Sequence, residues 1–169
     1  KGLGIDLEKM QRTGKLKIMQ IDAAELTPGE FSARVRDSLE IFGAKTILID
    51  SLTGYQSAMP EERSLILHMH ELLQYCNRGG ATTFLTVAQH GLFGEMKAPI
   101  DLTYLADTVI LLRYFEAMGE VRRAISVVKK RTSAHENTIR EYTLGAKGVT
   151  LGEPLSNFHG VLEGTPTMV

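Results

Sequence analysis

Two short runs constrain this chain more than anything else in it. TILI at 46–49 is apolar on both faces, and TTFLTVA at 82–88 is a second strand-like run of the same kind. A strand without polar alternation belongs in a parallel sheet covered on both sides. Parallel neighbours need a long crossover, and the residues between the runs supply one. A helix beginning near Pro60 carries Leu65, Met69, Leu72 and Cys76 at helical spacing and stops at Gly79-Gly80.

The flanking segments extend this α/β pattern. Asp6 caps a short helix over Leu7–Arg12 that stops at Gly14, and LKIMQI at 16–21 alternates weakly, as a strand would. Thr27-Pro28-Gly29-Glu30 is a capping box with proline at the first helical position. The helix it opens bears Phe31, Val35, Leu39 and Phe42 on one stripe and ends at Gly43. After a loop containing Gly91, Gly94 and Pro99, a short helix is predicted over 102–106. Strands at 108–115 and 121–129 are joined by EAMGE, and strands at 138–144 and 149–151 flank GAKG. The expectation is a mostly parallel sheet flanked by helices, with antiparallel strands added on the C-terminal side. Residues 1–153 form the domain of this reading, and 154–169 an irregular tail or linker.

The 169 residues suffice for a sizeable core. Nineteen Lys and Arg against 20 Asp and Glu leave a formal charge of −1, which gives no general pull toward nucleic acid or an anionic membrane. No apolar run approaches membrane-spanning length. Cys76 stands alone, so no internal disulfide forms, and a reducing cytoplasm is the expected compartment. Lys1 opens directly into an organised segment, so an N-terminal portion is expected to precede it.

Ligands of open parallel sheets sit beyond the carboxyl ends of the strands. Asp50 follows one such end and Gln89 closes the next run, TVAQ. Together a carboxylate and an amide there can hold a hydrated Mg²⁺ and orient a phosphate or water. They can equally cap the following turn and bond loop backbone. VVKKRTSAH, 127–135, leaves two readings open as well: a solvated charge run at a strand end, or a cationic finger reaching a phosphate on a neighbouring subunit. Lys129 and Arg131 share side-chain parity along a strand, with Lys130 opposite.

TILIDSLTGY, LADTVILLRYFEAMGEVRRAISVVKKRTSAHENTIREYTLG and GEPLSNFHGVLEGTP occur in one order across nearly the whole chain. They resemble the KaiC-like branch of the RecA superfamily of ATPases. The resemblance implies a RecA-like fold, ATP and Mg²⁺ as ligands, a homo-hexameric ring, and a role in signalling with a regulatory protein partner. It makes TILID the Walker B strand, with Asp50 holding Mg²⁺ through water. Ser51 and His135 would contact the nucleotide, Gln89 would sense its γ-phosphate, and Lys129 and Arg131 would act across a subunit interface.

The chain also departs from the family pattern. No G-x-x-x-x-G-K-[ST] loop occurs: Gly14-Lys15 is followed by Leu16, and Lys9 occupies the first glycine position. Without the backbone N–H cradle of that loop, these residues alone are expected to bind ATP negligibly. Ser51 stands where many ATPases carry a glutamate base. Thr103-Tyr104 replaces the Ser-Thr pair that the clock member phosphorylates, which points to a non-circadian relative. Two other readings are an assembly module that does not turn over ATP and a recombinase-like DNA-binding protein. Against the latter, the 89–101 loop holds only Lys97 as a cation beside Glu95 and Asp101.

Overall fold

The helix after Thr27 begins at a capping box, and both long helices are followed by a glycine at positive φ. The computed structural model describes residues 3–22, 25–59, 61–88, 103–163 and 166–168. Helix α1 spans Leu7–Arg12, and the Asp6 side chain accepts from the Lys9 N–H at 3.0 Å. Helix α2, Pro28–Glu40, has the full capping box: Thr27 Oγ1 accepts from the Glu30 N–H at 3.3 Å, and Glu30 accepts from the Thr27 N–H at 2.9 Å. Strand β1 is Thr46–Ile49, helix α3 Leu52–Ala58, helix α4 Glu62–Arg78 and strand β2 Thr82–Leu85. Gly43 and Gly80 take the left-handed conformation, at φ 73° and 72°, between a helix end and its following strand. A side chain is strained there, and glycine is not.

The chain divides into two units, 20–89 with 98–105, and 1–19 with 90–97 and 106–169. In the first, β1 and β2 pair in parallel, with Leu48 opposite Phe84 and Ile49 opposite Leu85. Phe31, Val35, Leu52, Tyr55, Leu65, Met69, Leu72 and Cys76 form its core, and Ile47, Ile49 and Leu85 pack against them. The helical stripe read for α4 is therefore the buried one. Phe42 lies past the end of α2 and is exposed.

Three strand expectations change. β1 and β2 are not covered on both faces: Leu48 is 65% and Phe84 52% exposed. The core lies on the face of Ile47, Ile49 and Leu85, so only that face is packed. β2 stops at Leu85 rather than at residue 88. Residues 16–21 form no strand; no described segment pairs with them, and the N–H groups of Lys15 and Leu16 turn back to the Met10 carbonyl. Helix α3 was not foreseen. Of the short helix expected at 102–106, residues 103–105 form a turn and Leu102 lies outside the described residues, as does Pro60.

In the second unit, β3 (Thr108–Ala117), β4 (Glu120–Lys130), β5 (Arg140–Gly145) and β6 (Gly148–Pro154) form an antiparallel sheet in sequence order. Met118 and Gly119, at φ 55° and 76°, make the tight β3–β4 turn, whose two positive φ values match the twist of the strands. Among the described residues this sheet is separate from the β1–β2 pair. Its packed face carries Phe115, Ala117 and Ala124, covered by Ile139, Leu155, Phe158 and Val161. The stretch expected as an irregular tail thus contributes core. Phe158–His159 (β7) pairs with Thr167–Met168 (β8), Val161–Glu163 is a short 3-10 helix, and Val161 is 1% exposed.

Candidate functional site

Asp50 is the first residue past β1, and Thr86 the first past β2. Because Ile49 and Leu85 are register partners, the two residues face each other one step beyond the ladder. The Thr86 N–H donates to the Ile49 carbonyl at 3.1 Å, and the Leu52 N–H donates to the Thr86 carbonyl at 3.0 Å. The Thr86 hydroxyl donates to Asp50 Oδ1 at 2.6 Å, the short distance expected of an O–H bonded to a carboxylate. Both side chains are exposed. Ser51 is the N-cap residue of α3, and its side chain makes no cap bond. The carboxylate therefore bonds across the sheet rather than closing the following turn. The Asp50–Ser51 peptide is cis.

The donors fit a magnesium ion held through its water shell. Mg²⁺ prefers oxygen ligands and keeps several waters, so one carboxylate suffices. Among the described residues, Asp50 Oδ2 carries no protein bond, and no cluster of three or more His, Cys, Asp or Glu forms a closed metal cage. Gln89 lies outside the described residues.

The basic segment belongs to the other unit. Lys129 stands opposite Val109 and is half-buried, while Lys130, the last residue of β4, stands opposite Thr108 and is exposed. Arg131 is the first residue beyond the strand, so strand parity separates Lys129 from Lys130 but does not fix Arg131. Its N–H donates to the Asp107 carbonyl, and its guanidinium pairs with the Asp107 carboxylate. His135 is half-buried in the connection to β5. Glu136 pins that connection: it accepts from Arg140 Nε at 2.7 Å and from the Thr138 hydroxyl. These two bonds hold the Glu136 carboxyl below its ordinary pKa.

A groove between α2 and α4 is lined by Ser32, Arg36, Glu40, His68, Glu71 and Tyr75. Ser32 Oγ lies 2.9 Å from His68 Nε2, and Tyr55 stacks on the imidazole at 5.7 Å. Burial lowers the His68 pKa and raises that of Cys76, leaving an inert thiol. Ser32 sits inside α2, where neighbouring N–H groups serve the helix. The Ser32–His68 pair is a contact between helices.

Sequence reasoning missed Thr86 and Asp107. Thr86 becomes identifiable only once β1 and β2 are paired in register, which sets the residue after the second strand beside Asp50.

A parallel strand pair packed by helices, with an exposed carboxylate at a strand's carboxyl end, defines an α/β domain whose ligand side lies beyond the strand ends. The KaiC ATPase family model matches residues 1–156, and the chain belongs to that family. It is 30% identical over 167 residues to the circadian clock protein KaiC3 of Synechocystis sp., which covers 98% of this chain and 33% of the relative. It is 29% identical over 169 residues to the circadian clock oscillator protein KaiC of Acaryochloris marina, covering 98% of this chain and 32% of that protein. The corresponding protein of Prochlorococcus marinus subsp. pastoris is 30% identical over 170 residues, with 98% and 33% covered. The chain thus spans about a third of these relatives.

Proposed function

We propose that the protein carrying this chain binds and hydrolyses ATP with Mg²⁺ in a ring-shaped homo-oligomer, in cytoplasmic signalling or regulation with a protein partner. The observation that carries this reading is the Asp50 carboxylate, exposed at the carboxyl end of a parallel strand in a KaiC-family chain. Asp50 holds the metal's water shell and Ser51 lies against the nucleotide, while the resemblance gives His135 a supporting role beside the basic segment. When bound, the ion offsets charge on the phosphate oxygens. Gln89 senses the γ-phosphate, and Lys129 and Arg131 bring positive charge to it from the neighbouring subunit. Arginine suits that task because its planar fork bonds two phosphate oxygens at once. Residues 1–153 make up this part of the ATPase domain, and Leu155, Phe158 and Val161 pack onto its antiparallel sheet.

The test is MgATP hydrolysis by the full-length protein and its Asp50→Asn variant. Asparagine keeps the shape and still bonds Thr86, but it loses the charge. Hydrolysis is expected to fall about a hundredfold or more, the scale of losing one preorganised electrostatic contact. Activity near wild type, with stability lowered by over ~1 kcal/mol, would make Asp50 a structural tie to Thr86 instead.

A further inference from the structure

Thr86 fastens Asp50 from three directions. Its N–H holds the carbonyl of Ile49, the residue before Asp50, and its carbonyl holds the N–H of Leu52, two residues after. Its hydroxyl holds the carboxylate itself, at 2.6 Å. The two backbone bonds would survive any side chain at 86. The hydroxyl bond would not, and among the described residues it is the only bond to the Asp50 side chain. An aspartate's terminal torsion is broad and roughly two-fold, so a carboxylate past a strand end is otherwise free to turn.

We infer that Thr86 is the positioning residue for the Asp50 carboxylate: its hydroxyl takes Oδ1 and turns Oδ2 to the water shell of a divalent cation. The inference rests on the ATPase reading and adds to it a residue that touches neither nucleotide nor metal. Oδ1 is satisfied by protein, so the carboxylate presents one oxygen in one orientation. That economy suits Mg²⁺, which binds through one or two carboxylates and retains water. Orienting partners of this kind tune metal affinity without ligating.

The experiment uses the full-length protein with Thr86→Val, which matches threonine in shape and lacks the hydroxyl, Thr86→Ser, which restores it, and Asp50→Asn. Two quantities are measured. One is Mn²⁺ affinity by electron paramagnetic resonance in the presence of a non-hydrolysable ATP analogue, and the other is steady-state ATP hydrolysis. Thr86→Val is expected to weaken Mn²⁺ binding and lower kcat each by about tenfold, the weight of a hydrogen bond to a charged group. Thr86→Ser should return both to within about threefold of wild type. Urea unfolding should be unchanged in all three, because both side chains are exposed. If Asp50→Asn is impaired while Thr86→Val stays within about twofold of wild type on both measures, the positioning role is overturned and the ATPase reading stands. If Asp50→Asn itself keeps full Mn²⁺ affinity, the reading and the inference fall together.

Discussion

Arg131 is tied to Asp107 through backbone and side chain alike: its N–H donates to the Asp107 carbonyl at 2.8 Å, and Nη1 lies 3.2 Å from Asp107 Oδ1. The side-chain pair is about half exposed on each partner, at 52% and 64%. Such pairs contribute on the order of 0–1 kcal/mol, less than a bidentate grip on phosphate. The Asp107 side-chain pair by itself therefore holds the guanidinium only weakly.

That arrangement makes the subunit served by Arg131 a matter for mixing. Asp50→Asn and Arg131→Ala full-length proteins, each expected to be strongly impaired alone, are combined under conditions that let subunits exchange. If Arg131 acts across an interface, some sites will join an intact Asp50 to a neighbour's intact Arg131, and hydrolysis returns in part. Lys130→Ala alone should stay near wild type, since Lys130 is the exposed residue of the pair Lys129–Lys130. Demonstrated exchange without recovered activity would return the segment to a solvated strand end.

Stability should depend on His68 in a defined direction. Its imidazole meets Ser32 and Arg36 from α2, Tyr55 from α3 and Glu71 on its own helix. Burial lowers its pKa first, Glu71 opposes that, and Arg36 adds to it. The folded protein thus takes up the proton later than the unfolded chain as pH falls. The neutral imidazole's contribution is present above the unfolded pKa of about 6.5 and is lost as pH falls through the lower folded value. Urea midpoints measured from about pH 7.5 to about pH 5 should drop for wild type, and by less for His68→Gln. Parallel curves would show that His68 does not carry this dependence.

What the sequence made legible follows from how local each signal is. The capping box at Thr27 and Glu30, the stripe Leu65, Met69, Leu72 and Cys76, and the EAMGE turn are set within a few residues, and all appear in the structure. Residues 16–21 alternate as a strand would, but a strand also needs a partner ladder, and none among the described residues pairs with them. Leu48 and Phe84 read as buried because apolar composition does not say which face of a strand is covered. Asp50 was readable as a candidate from its place after TILI. Thr86 required the register of a strand more than thirty residues away, which only pairing reveals. Val161 was overlooked because Leu155, Phe158 and Val161 sit among prolines and glycines that read as linker.

The packing of those three residues gives the last prediction. Val161 is 1% exposed and lies with Phe115, Ala117 and Ala124, while Phe158 meets the Phe115 ring edge-on at 6.2 Å. Val161→Ala removes two buried carbons from beneath a sheet that cannot fully collapse around the space. Transfer and cavity terms together put the loss at about 2 kcal/mol, read as a lower urea midpoint with an unchanged slope. The exposed Met168, at 63%, should tolerate Met168→Ala within about 0.5 kcal/mol. A loss at Met168 equal to that at Val161 would contradict the core that the structure gives to residues 155–161. Deletion from Leu155 onward strips Leu155, Phe158 and Val161 together from the face of Phe115, so that chain should lose the cooperative unfolding of the antiparallel unit.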